Sequence, residues 1–199
     1  MNTKTLTLII IIAAIVLLGG CGCSGYNSLV KLDENVKQKF GNVQSEYQRR
    51  SDLVPNLVST VKGAANFEQE TLTKVIEARA KATQVQINAN DLTPEKMQQF
   101  QAAQGELQSS LSRLLVSVER YPELKANQNF LSLQTQLEGT ERRIKVARND
   151  FNESVEEYNR SVRAFPTNLA AGIFGFKPQE GFTAVKGAEK SIEIKFDKK

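Results

Sequence analysis

NQNFLSLQTQLEGTERRIKVARNDFNESVEEYNRSVRAFP, residues 127–166, is the longest unbroken pattern in the chain. Phe130, Leu133, Leu137, Thr140, Ile144, Ala147, Phe151, Ser154, Tyr158, Ser161 and Phe165 recur at alternating steps of three and four. Such steps gather side chains onto one stripe of an α-helix, whose turn takes 3.6 residues. Val155 and Val162 widen the stripe where serine stands on it. Asn127 can accept from the first free amides as an N-cap, and Pro166 cannot continue the helix.

The same rule reads the rest of the body. Leu29, Val36, Phe40, Val43, Tyr47, Val54, Leu57, Val61 and Ala64 form a second seam of about five heptads, with Asp33 and Arg50 in its two remaining places. Pro55 lies inside this helix and, lacking an amide, is expected to kink or loosen it. A shorter helix is predicted after Asn66 as cap, carrying Leu72, Ile76, Ala80 and Ile87 before the polar break at Asn88–Leu92. Thr93-Pro94-Glu95 starts a third, with Thr as N-cap and Pro where its missing amide costs nothing. Phe100, Ala103, Leu107, Leu111, Leu114, Leu115 and Val118 follow, and Tyr121-Pro122 closes it.

The predicted fold class is all-α. It is an elongated antiparallel, up-down-up-down four-helix bundle with two long outer helices, preceded by an N-terminal membrane segment. Residues 1–25 form that segment, 26–166 the bundle, and 167–199 an apolar, Gly-broken stretch with a flexible tail. The two shorter helices pack on the distal part of the long pair. That leaves Tyr26–Phe40 and Phe151–Phe165 as a two-helix stalk. Ser191–Phe196 alternates like a strand but has no evident partner, and is read as a poorly ordered tail.

From Leu6 to Gly25 the chain is uncharged, about 20 residues and about 30 Å as a helix, enough to span a hydrocarbon core. The basic start, short apolar core and small-residue exit also look like a secretory signal. Leu18-Gly19-Gly20-Cys21 then resembles a bacterial lipobox, which implies cleavage before Cys21 and a lipid on its sulfur. Both anchors stay open. Lys4 marks the N-terminal side as cytoplasmic, whereas Lys31, Lys37 and Lys39 oppose it. Cys21 favours an exported body, since a lipobox serves only an exported chain. The expected setting is the bacterial cell envelope, with the body periplasmic or extracytoplasmic.

Composition excludes several activities. Among 199 residues there is no histidine, which removes the usual general base and the commonest metal ligand. The only cysteines, Cys21 and Cys23, adjoin the apolar run, so no disulfide framework holds the body. A net charge of +4, with acidic and basic residues interleaved, argues against a nucleic-acid surface. No catalytic, cofactor-binding or metal-binding residues are assigned. Aligning the ends of the two long helices sets Arg50 opposite Glu138, Glu141 and Arg142, and Asp33 opposite Asn159, Arg160 and Arg163. Together with Asp52, these residues read as a partly buried charge network that fixes register, or alternatively as a ligand or partner site. Leu169, Ile173, Phe174 and Phe176 return to the membrane-proximal end. There they either pack on the stalk base or contact lipid.

Tyr26-Asn27-Ser28-Leu29-Val30, Arg49-Arg50-Ser51-Asp52-Leu53-Val54-Pro55-Asn56-Leu57, Glu77-Ala78-Arg79 and Arg120-Tyr121-Pro122-Glu123-Leu124-Lys125-Ala126-Asn127 form an ordered series. Leu137-Glu138-Gly139-Thr140-Glu141-Arg142-Arg143-Ile144, Tyr158-Asn159, Phe165-Pro166 and Gly172-Ile173-Phe174-Gly175-Phe176 continue it. These blocks closely resemble the LemA family of bacterial membrane proteins. The resemblance implies a membrane segment followed by an antiparallel helical bundle, and no enzymatic activity. Cys21 and Cys23 depart from a simple uncleaved anchor. The expected function is that of a membrane-anchored interaction or scaffold protein, whose partners are the lipid bilayer and either another envelope protein or a second copy of itself. A lipid-binding module contacting the bilayer through Leu169–Phe176 is the alternative.

Overall fold

The computed structural model of the chain describes residues 3–63 and 67–183; ahead of Ser24 it describes side chains only at Thr5 and Ile12. All regular structure among these residues is helical: α1 Thr3–Lys62, α2 Gln69–Gln84, α3 Pro94–Val118, the single turn α4 Pro122–Lys125, α5 Gln128–Arg163 and α6 Thr167–Phe174. The expected four helices are thus six. The first is 60 residues long, about 90 Å, because it runs without a break from the apolar segment into the body. Pro55 does not end it. Among the described residues no helix is long and apolar enough to cross a membrane. Apart from Ile12, the side chains of Leu6–Leu18, and that of Cys21, lie outside the described set, as do Ala64, Asn66 and the strand-like Ser191–Phe196. The membrane segment therefore rests on the sequence.

Local chemistry sets the helix ends. Thr93 accepts from the Lys96 amide, and Pro94 follows it. The Asn127 carboxamide oxygen takes the amides of Asn129 and Phe130 at 2.9 and 3.2 Å. Gly175 closes α6 in the left-handed region, φ 78°, a conformation that costs glycine little.

Cross-helix pairs give the directions. Lys39, Glu46 and Arg50 of α1 meet Asp150, Arg143 and Glu141 of α5, so numbers rise on one helix as they fall on the other. Lys81 with Glu106 and Glu68 with Arg120 do the same for α2 and α3. Along α1 the seam is buried at every described apolar position from Leu29 to Val61. The core divides into two clusters. One holds Phe40, Tyr47, Phe100, Phe151, Tyr158 and Phe182; the other holds Val54, Leu57, Leu107, Leu114, Phe130 and Leu137.

Two expectations need correction. In α2 the packed stripe is Leu72, Val75, Ala78 and Ala82, whereas Ile76 is 52% exposed and Ala80 is exposed. The buried stripe follows the steps 72, 75, 78 and 82 rather than 72, 76 and 80, so it takes in Leu72 and Val75 with the two alanines. The proposed two-helix stalk is also not bare. Residues after Gly175 run back along α5 and place Phe182 against Phe151 and Phe100, at ring distances of 5.4 and 6.5 Å. Phe165, the last residue of the α5 stripe, is 80% exposed, because α5 ends at Arg163.

Phe151 has no solvent exposure and touches aromatic rings on two sides. Phe151→Ala is expected to lower the unfolding free energy by about 3–5 kcal/mol. Ile76→Ala on the outward face of α2 is expected to change it by less than about 0.5 kcal/mol. Urea denaturation followed by circular dichroism reads both.

A buried arginine layer as the candidate functional site

Arg50 stands on the apolar seam of α1 at 1% exposure, between the two core clusters. An isolated guanidinium there would be far less stable than in water; its two terminal nitrogens find oxygens, while Nε is buried without a hydrogen-bond partner. Nη1 donates to Glu141 Oε1 of α5 at 2.9 Å. Nη2 donates to both oxygens of Gln104 on α3, the backbone carbonyl at 2.9 Å and the side-chain Oε1 at 2.7 Å. Gln104 Nε2 in turn donates to Ala82 O of α2. One layer thus joins all four long helices. Tyr47 lies one turn earlier with its ring 5.0 Å from the guanidinium carbon, a cation–π contact, and burial pushes its phenol above the ordinary range.

A second tie explains why Pro55 is tolerated. Proline lacks the amide that would bond the carbonyl four residues back, which leaves Ser51 O without its helical donor. Arg79 Nε of α2 donates to that oxygen at 2.9 Å. The side chain from α2 replaces the hydrogen bond that α1 cannot make for itself.

The other charged candidates lie apart. Asp52 is exposed and accepts from Gln48, beside an amide-lined groove of about 750 Å³ between α1 and α2. Glu138 accepts from Gln134 and stands 4.0 Å from Arg142, both on the outer face of α5. Asp33 is half-buried. It holds Lys37 at 2.8 Å and accepts from Gln179 Nε2 at 2.8 Å, rather than meeting Arg160 or Arg163. Arg160 pairs with Glu156 within its own helix. Asn159 does join Asp33, but through Gln179. Gln104, Arg79 and Gln179 were not anticipated. Arg79 stands in the Glu77-Ala78-Arg79 block and Gln104 beside core positions of α3, but the sequence marks the partner of neither.

At the other end, α6 packs Ala170 and Ala171 against α1 and α5. A Cβ at Gly25 would stand 3.5 Å from that of Ala170, so the two helices are nearly at closest approach. Leu169, Ile173 and Phe174 face outward at 55%, 78% and 56% exposure, and Tyr26 meets Phe174 at 4.6 Å. Phe176 differs in being half-buried against the core. Cys21 falls within the α1 backbone. Among the described residues no group of His, Cys, Asp and Glu could hold a metal ion.

The LemA family profile matches residues 39–196, which include Arg50, Arg79, Gln104 and Glu141. The chain belongs to the LemA family. Similar proteins include magnetosome protein MamQ 2 of Paramagnetospirillum magneticum and magnetosome protein MamQ of Magnetospirillum gryphiswaldense. Each is 26% identical over 79% of this chain and 64% of the relative. Protein LemA of Metamycoplasma hominis is 24% identical over 73% of this chain and 63% of its own length. The chain therefore spans less than two thirds of the curated relatives it matches. The stretch shared with the LemA family profile contains the whole arginine layer and begins well after the apolar run.

Arg50→Ala removes the centre of the layer and leaves Glu141 and Gln104 without their donor. The expected loss is about 3–5 kcal/mol in the unfolding free energy; an unchanged melting temperature would refute the register role. Arg79→Ala is expected to destabilise by about 1–2 kcal/mol. In a Pro55→Ala background, where the substituted residue returns an amide to Ser51 O, that cost should vanish, so a double-mutant cycle in urea reads the coupling.

Proposed function

We propose that this LemA-family chain is a membrane-anchored, non-enzymatic interaction or scaffold protein of the bacterial envelope, with its helical body on the exported side. The observation that carries the reading is the continuity of α1. One helix runs from the apolar segment to the far end of the body, so the anchor and the body move as one piece. The pairwise directions of α1, α2, α3 and α5 support an up-down-up-down bundle held in register by Arg50. Three relatives are named as magnetosome proteins, and all those compared are bacterial; this supports a membrane-associated setting. Arg50 directs its terminal donors to Glu141 and Gln104, which supports a structural use of the layer, and the three also line a cavity of about 480 Å³.

A second reading gives α6 a lipid contact. Its small residues face the protein and its large apolar ones face outward, at the end of the body from which the apolar segment emerges. Bilayer contact would bury that area.

Intact-mass spectrometry of the membrane fraction should show either a lipid-modified N-terminus at Cys21 or an unprocessed start at Met1 or Asn2. A soluble, unmodified chain beginning near Tyr26 would overturn membrane anchoring. Proximity labelling in cells should return a reproducible protein neighbour, and none across replicates would remove the interaction role. Liposome flotation of the body from Tyr26 onward should depend on Ile173 and Phe174. If Ile173→Ser with Phe174→Ser floats as well as the parent, the α6 contact is wrong.

A further inference from the structure

The bundle is not evenly packed. α1 lies close along α5, and α2 along α3, but α3 and α5 hardly approach one another. The space between them is the cavity of about 480 Å³, a size that takes a small molecule. Its buried side is formed by Tyr47, Arg50 and Gln104. Phe182 stands at one end, its ring between Phe151 of α5 and Phe100 of α3. Asn152 fixes that residue by its main chain, accepting the Phe182 amide at 2.7 Å and donating to its carbonyl at 2.9 Å.

The charge of the wall is lopsided. Arg50, Lys145 and Arg148 line the cavity against the single carboxylate of Glu141. That carboxylate is turned to Arg50 Nη1, so these two offset one another. Lys145 follows Glu141 by four residues, a spacing at which helical ion pairs form, yet it has no ion-pair partner among the described residues. Nor has Arg148, although Arg142, Arg143 and Arg160 of the same helix pair with Glu138, Glu46 and Glu156. Arg148 is half-buried, its guanidinium 4.7 Å over the Phe182 ring. Burial raises the Tyr47 phenol, and the guanidinium groups of Arg148 and Arg50 act against that rise, as a positive field in the wall must. Arg50 Nε remains buried without a partner.

Two polar stripes build this wall. Glu141, Lys145, Arg148 and Asn152 recur on α5 at steps of three and four, and Gln101, Gln104 and Gln108 do the same on α3. Unbalanced charge between low-dielectric walls concentrates counter-ions in the gap.

We propose that this cavity binds a small water-soluble organic anion, a carboxylate or a phosphate ester, with its oxygens on Arg148 and Lys145 and its body against Ile144 and Phe182. A guanidinium meets either group through two parallel N–H···O bonds, and a lysine adds a point charge. The neutral amides Gln101, Gln108 and Asn149 surround them and can meet a ligand's hydroxyl groups. Lipid headgroups lie too far away. With the uncharged run in a bilayer, Tyr47 and Arg50 stand about 33–38 Å along a continuous helix from Gly25, where that run ends. The occupant is a soluble molecule of the surrounding compartment, and its site is independent of the scaffold reading.

The test titrates the full-length chain in detergent micelles by calorimetry with two probes, citrate and glucose 6-phosphate, against sodium chloride of matched ionic strength. At least one probe should bind saturably where chloride does not, and the tighter of the two distinguishes a carboxylate from a phosphate ligand. Lys145→Gln with Arg148→Gln should weaken that binding by about tenfold or more. Arg142→Gln with Arg160→Gln removes the same charge from exposed positions of α5 and should leave it unchanged. Gly105→Leu keeps every cation. Gly105 lines the cavity and a Cβ there meets nothing within 4 Å, so the leucine should fill the space and abolish binding without lowering the melting temperature. This variant decides the matter even if the double replacement of Lys145 and Arg148 fails to fold. The site is overturned if neither probe binds saturably, if Gly105→Leu binds like the parent, or if the exposed pair of replacements costs as much as the cavity pair.

Discussion

A guanidinium at the centre of a helical body is stable only where its donors meet oxygens held in place by something else. Arg50 has Gln104 and Glu141, carried by two different helices, and Gln104 is itself tied to a third. A slip of α1 by one turn, about 5.4 Å, would strand the charge among leucines and valines on either side. The apolar clusters above and below tolerate such slips far better, because one aliphatic side chain replaces another at modest cost. On that argument the layer is expected to select one register among several that hydrophobic packing alone would leave close in energy. Glu141 is about one-third exposed, which moderates the cost of burying the pair.

Much of this was legible in the sequence, because the long helices carry their own ruler. A seam of three- and four-residue steps tells which face is buried, and a polar residue on the seam announces a partner. Aligning helix ends was enough to place Arg50 beside the turn that contains Glu141. Asp33 shows where that logic stops. It shares its surroundings with Asn159, yet Gln179 stands between them, supplied by a segment with no periodicity of its own. Asn159 could be set opposite Asp33 by aligning helix ends, but nothing in the sequence marks it or Asn152 as a holder of the segment after Gly175. Hydrogen bonds from side chains to an extended backbone depend on what the partner's main chain does, and that leaves little mark on the partner's residue types.

The same argument explains α2 and Pro55. From Leu72 a helical stripe can step three to Val75 or four to Ile76, and the helix alone does not choose; in the folded chain Leu72, Val75, Ala78 and Ala82 are buried and Ile76 is left outside. Pro55 signals a break when α1 is considered alone. In the folded chain the broken hydrogen bond is repaired from outside by Arg79, so a helix-breaking residue in one element is matched by a long polar side chain in another. Motifs that lie apart in the sequence, Arg49–Leu57 and Glu77–Arg79, are thus two halves of one arrangement.

The inverted character of α6 follows from where it sits. An ordinary surface helix turns large apolar residues inward and polar ones out. Here Ala170 and Ala171 face α1 near Gly25, the bulky Leu169 and Ile173 point away, and Phe174, 56% exposed, rests its ring on Tyr26 at 4.6 Å. Close approach to α1 demands the small face inward, and with so few polar residues in an eight-residue helix the outward face is left apolar. Such a surface beside water is unfavourable by roughly 25 cal/mol for each Å² of apolar area. It gains nothing in compensation unless a second apolar phase lies against it. Because α1 is continuous, that face keeps a fixed position around the helix that leads back to the Leu6–Leu18 run, which supports a bilayer as the phase it meets.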